Sequence, residues 1–131
     1  MQYQLHDCEI DSLVLKDNRI IFSFPNGFYA TDENGQELKP LRKKLAFVID
    51  KGVFSSEDPD SFIFVHQTKR RGWKEISFKQ FTSLFKKGNM VIHDEYDRKL
   101  TNWKMIQLNA RTNWSNIELF ITDIIDAECF E

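Results

Sequence analysis

The sequence is short of the residues that would make it something other than an ordinary folded domain. Among its 131 residues there are only two cysteines, three prolines and five glycines. So few cysteines exclude a disulfide-dense scaffold, and so few prolines and glycines exclude a collagen-like repeat or a loose linker. No stretch approaches the ~18 consecutive apolar residues of a membrane-spanning helix. The start, Met1 to Asp7, lacks the basic residues and apolar run of an export signal. Two reduced thiols in a cytoplasmic protein follow from that reading of Cys8 and Cys129. Charge of one sign is also missing, because 18 basic side chains face 20 acidic ones.

What is present is a core-building composition. Twelve phenylalanines and three tryptophans accompany 41% hydrophobic residues, and a chain of this length buries about two-thirds of its unfolded surface. No internal segment has the polar, Pro/Gly-rich signature of a boundary, so residues 1–131 read as a single globular domain.

The near-neutral charge is a remainder. Residues 1–38 carry two basic and seven acidic side chains, 39–87 carry twelve and five, and 88–131 carry four and eight. A basic middle therefore lies between two acidic flanks. Either the segments pack together and complement one another, or the middle presents a patch to an acidic partner.

Local patterns predict an α+β fold, mainly an antiparallel sheet of about six to eight short strands with one amphipathic helix near 78–87 packed on a face. Ile20, Phe22 and Phe24 alternate with Ile21 and Ser23, the period of two of a strand. Lys16-Asp17-Asn18 predicts a turn before that run, and Pro25-Asn26-Gly27 predicts another after it. The unbroken apolar run Leu45–Ile49 predicts a strand covered on both faces. Ser55–Ser61 reads as a loop, Phe62–His66 as a strand, and Gly72 as a turn or bulge. Ser77 is placed to cap a helix whose Phe78, Phe81, Leu84 and Phe85 share a stripe, and Gly88 is placed to end it. Met90–His93, Trp103–Leu108 and Ile117–Thr122 predict further strands, with a turn over 109–115. Residues 123–130 admit a helix, against which β-branched Ile124 and Ile125 count.

Reactive chemistry is sparse. His6, His66 and His93 with Asp7 and Asp94 supply the residue types of a zinc or iron site but not its ligand spacing. Cys8 follows His6-Asp7, yet adjacency along a strand does not hold an imidazole against a thiol. Lys86-Lys87-Gly88 closes a helix, whereas a phosphate-binding loop opens one. Neither a catalytic residue nor a cofactor or metal site is expected.

The strongest constellation is Lys69-Arg70-Arg71-Gly72-Trp73-Lys74, four cations and an indole in six residues. Such a segment suits an acidic protein surface, or the phosphates and an unpaired base of a single strand. Its bland alternative is a basic hairpin with Trp73 tucked into the core. Trp114, in Asn113-Trp114-Ser115, is a second ring expected in a turn, where tryptophan serves as an interface anchor. The candidate partner-binding residues are therefore Lys69, Arg70, Arg71, Trp73, Lys74 and Trp114.

Leu5-His6-Asp7-Cys8-Glu9-Ile10, followed by a β-meander with Phe-Pro-Asn-Gly at Phe24 to Gly27, resembles small uncharacterised bacterial domains, some of which are immunity proteins of toxin clusters. The resemblance covers about 25 residues and transfers no functional residue. It implies a non-enzymatic cytoplasmic module that binds another protein by surface complementarity. Single-stranded nucleic-acid binding through residues 69–74 is the alternative, and no membrane partner is expected.

Overall fold

Residues 2–69 and 72–131 are described by a computed structural model, at residue 69 for the backbone alone. The chain opens with three short strands, β1 (Gln2–Gln4), β2 (Glu9–Ile10) and β3 (Ser12–Lys16), and continues into the long β4 (Arg19–Thr31) and β5 (Arg42–Ile49). A hairpin of β6 (Ile63–Lys69) and β7 (Gly72–Ile76) precedes α1 (Phe78–Ser83), which tightens into a 3-10 turn over Leu84–Lys87. The chain then forms β8 (Met90–Lys99), β9 (Lys104–Arg111) and β10 (Asn116–Phe130). Every strand pairing is antiparallel. The α+β class holds, with ten strands among the described residues rather than six to eight, and β4, β8 and β10 are not short.

β10 is the spine. Along one edge it pairs with β9, and along the other first with β6 and then with β5. It passes from β6 to β5 at Thr122-Asp123, where Asp123 adopts φ 60° and the ladder shifts register. Residues 123–130 are thus strand and not helix. Their pairing to β5 satisfies backbone groups that a helix would have to withdraw, and Ile124 and Ile125 suit a pleated surface.

The sheet curls into a half-barrel whose two edges are tied by the N-terminal strands. β1 and β3 pair with β4 while β2 pairs with β8. The Asp11 N–H donates to the Ser23 carbonyl (3.1 Å), and the Glu9 carboxylate accepts from both Asn26 (2.9 Å) and Asn89 (2.7 Å).

Two predicted turns resolve differently. Asp17 and Asn18, both at φ 51°, form the two-residue hairpin between Lys16 and Arg19, the left-handed geometry that short Asp/Asn turns supply. Pro25-Asn26-Gly27 does not turn the chain. It is an outward bulge within β4, where Ser23 to Phe28 oppose only Lys44 to Arg42 of β5. The bulge keeps Phe24 and Phe28 on the inner face, rings 4.8 Å apart, and Gly27 sits at φ 79° with no room for a Cβ beside Leu41.

The core lies within the curl. Phe22, Phe24, Phe28, Phe47, Phe62 and Phe81 are fully buried, and Phe22 meets Phe47 edge-on at 5.8 Å. Burying such a ring stabilises the fold by roughly 1.5–3 kcal/mol. Leu45–Ile49 is buried on both faces as its composition predicts. On the outer face, Arg19 opposite Val48 and Glu128 opposite Ala46 join in an ion pair of 2.8 Å. α1 is capped as expected: Ser77 accepts from the Gln80 N–H, and the Gln80 side chain accepts from the Ser77 N–H. Its Phe81 is driven into the core, and Gly88 closes the following turn. No described helix is long and apolar enough to cross a membrane.

Candidate functional site

Two regions carry chemistry, and they lie on opposite faces of the sheet. The first is the outer face of the β6–β7 hairpin. Lys69 pairs with Gly72, whose φ of 85° suits the end of a tight hairpin, and Arg70 and Arg71 lie outside the described residues. Trp73 is not tucked into the core but 66% exposed. Alternation explains it: Val65 and Ile76 are paired and buried, which turns Thr68, Trp73, His66 and Phe64 outward. Trp73 stacks on His66 at 4.7 Å, and His66 meets Phe120 of β10 at 5.4 Å. With Phe64 across from Phe120, four rings span three strands on the surface. Lys74 is exposed on the opposite side of β7 from Trp73, opposite Gln67. Lys74 and the indole are therefore divided between two faces.

Trp114 belongs to a different patch. The Thr112 hydroxyl accepts from the N–H groups of Trp114 and Ser115, fixing the β9–β10 turn with the indole 79% exposed. That ring borders a cleft of about 140 Å³ shared with Gln67, Leu84, Lys87 and Asn89. Cross-strand register puts Trp73 opposite Thr68 and Thr68 opposite Asn116, so both tryptophans stand at the same end of the sheet.

The second region is a concave cleft between β1, β4 and β8, absent from the sequence expectations. A one-residue irregularity between Ile92 and Asp94 resets the alternation of β8. Glu95 and Asp97 consequently share the inward side with their partners Leu108 and Ile106. Tyr3, paired with buried Ala30, faces them from β1, and Lys104 of β9 reaches Asp97 at 3.8 Å. These side chains line a cavity of about 640 Å³ with Tyr29, Thr31 and Glu37 at its rim. Burial, then repulsion from Asp97, pushes the Glu95 carboxyl up to about 7, with Tyr3 and Lys104 opposing that rise. Burial and the facing carboxylates raise the Tyr3 phenol far above its ordinary range. The phenol oxygen is buried without a hydrogen bond of proper geometry, although Glu95 is near enough to perturb it. Period-two alternation of Glu95-Tyr96-Asp97 was the available signal. It was hidden because both faces of that run are polar.

The histidines divide. Leu5-His6-Asp7 and Ile92-His93-Asp94, alike in sequence, lie side by side: the Asp7 N–H donates to the Ile92 carbonyl (2.7 Å), and the His6 Nδ1 lies 2.6 Å from the His93 carbonyl. His66 is in the aromatic ladder instead. No group of three or more His, Cys, Asp or Glu among the described residues is arranged to hold a metal ion. Burial first, then Asp7 and Glu95, raises the Cys8 thiol, and burial raises that of Cys129. Both stay protonated near neutral pH, which leaves neither a ready nucleophile. The two thiols are not bonded to each other.

No family model, curated protein or solved structure matches the chain.

Proposed function

We propose that the protein is a non-enzymatic cytoplasmic module that recognises another protein, with the Trp73 face as its contact surface and Trp114 as a second anchor. The observation that carries this reading is the exposure of two tryptophans at one end of the sheet, one stacked in a four-ring patch. Solvated apolar rings in a preformed arrangement lose little entropy on docking and bury large areas, which is why tryptophan dominates interface energetics. Lys69, Arg70, Arg71 and Lys74 supply the positive charge that steers an acidic partner. In the immunity-type form of this proposal the partner is a toxin encoded beside this chain's gene.

The test places a photo-crosslinking residue at Glu75, the neighbour of His66 across the hairpin. One dominant protein adduct is expected from native extract, and the added change Trp73→Ala should abolish it. The proposal fails if no protein is captured at Glu75 or if the adduct survives loss of the indole.

Single-stranded nucleic acid is the second reading, favoured by an exposed indole beside a basic segment. A labelled oligothymidylate decides it. Binding that falls steeply with salt and vanishes in Trp73→Ala would replace the protein partner with a strand.

A further inference from the structure

Gln67 is out of place. Among the described residues it is the one polar side chain to be buried, 7% exposed, because strand alternation puts it on the inner side of β6 with Val65. Its Nε2 donates to the Ser115 hydroxyl (3.1 Å), which uses one half of the amide. Its carbonyl oxygen accepts no hydrogen bond from a described residue and is not sealed off, so it opens on the cleft of about 140 Å³ that Gln67 lines. A buried amide satisfied on one side leaves an acceptor for the N–H of a ligand. Trp114 forms a wall of the same cleft with its indole largely exposed. Lys87 is the charged side chain among the lining residues, and it forms no ion pair with a described residue. Arg70 and Arg71, outside the described residues, can add only positive charge.

These properties together select one ligand. The volume is below the range of about 300–1,000 Å³ that encloses a whole drug-sized molecule, so the cleft admits one planar ring and leaves the rest outside. The indole suits stacking on that ring, the Gln67 carbonyl an amino group on its edge, and Lys87 a negative charge beside it. An acidic side chain uses only the lysine, and an aromatic side chain leaves the lysine unpaired. We propose that the cleft between the β9–β10 turn and the 3-10 turn after α1 binds a nucleotide with an amino-bearing base. The base stacks on Trp114 and donates to the Gln67 carbonyl, and the phosphate lies at Lys87. The nucleotide is either free or part of a single strand. This goes beyond the protein-contact reading, needs Trp114 and not Trp73, and so fails separately from it.

NMR titration of the full chain with adenosine 5′-monophosphate and with a short oligoadenylate tests the proposal. Saturable binding is expected, with shifts centred on the Trp114 indole N–H and on the backbone of Gln67 and Lys87. Trp114→Ala should weaken it roughly tenfold. Lys87→Ala should weaken the monophosphate roughly tenfold and leave adenosine, which has no phosphate, unaffected. Both side chains are exposed, so neither change endangers the fold. Tighter binding of the monophosphate identifies a free nucleotide, and tighter binding of the oligoadenylate identifies a strand. Absence of saturable binding for both probes overturns the proposal, as does an affinity unchanged in both variants. Shifts of the same signals with tetraglutamate and with neither nucleotide also overturn it, giving the cleft to an acidic side chain of a protein.

Discussion

The inner cleft under β8 and the outer face of the β6–β7 hairpin reverse the usual placing of polar and apolar groups. In the cleft, a glutamate, an aspartate and a phenol are drawn into concave, half-buried space. On the hairpin, an indole and its stacked neighbours stand in water. Each arrangement is the less stable local choice, whereas the phenylalanine core between them follows the ordinary rule. Departures of this kind are where binding is to be sought.

The contrast can be broken most severely through the core. Phe47→Ala removes a fully buried ring that meets both Phe22 and Tyr3. It should cost about 3–5 kcal/mol in urea denaturation, and a cost no greater than that of an exposed ring would erase the distinction. The cleft comes next. The Glu95 carboxyl titrates at about 7 in the folded chain against 4.5 as its reference value. Because the folded pKa is the higher, the glutamate's contribution is fully present below about pH 4.5 and lost as pH rises through about 7. Part of the group is solvated, which reduces the effect to about 1–2 kcal/mol. Glu95→Gln should therefore flatten the stability profile between those limits, and a profile identical to the unsubstituted chain would deny the cleft its electrostatic character. The smallest effect belongs to Trp73→Ala, expected to change stability by less than about 1 kcal/mol while removing the partner. A large loss of stability there would make the ring a structural element.

Much of the fold was legible because local chemistry and tertiary context agree. Ser77 and Gly88 delimit the helical segment as composition predicts, and Leu45–Ile49 proves to be a strand buried on both faces between β4 and β10. Where they disagree, the sequence misleads. Pro25-Asn26-Gly27 has turn chemistry but becomes a bulge, because Phe24 and Phe28 both belong to the core and Asn26 is tied to Glu9. Composition left Trp73 open between an exposed ring and one tucked into the core, and strand register settles both its exposure and its division from Lys74. The cleft was illegible for the same reason. Glu95 and Asp97 look like solvated charges until the irregularity in β8 settles which way they point.

The position of β10 also has a consequence for how the chain is made. β5, β6 and β9 all precede it and all pair with it. As the chain leaves the ribosome, those three strands emerge with unpaired edges and no central partner. The β6–β7 hairpin and α1 have local partners and settle early, but the half-barrel closes only when residues 116–130 emerge. Until then the nascent protein displays hydrophobic strand edges, the kind of surface that chaperones hold.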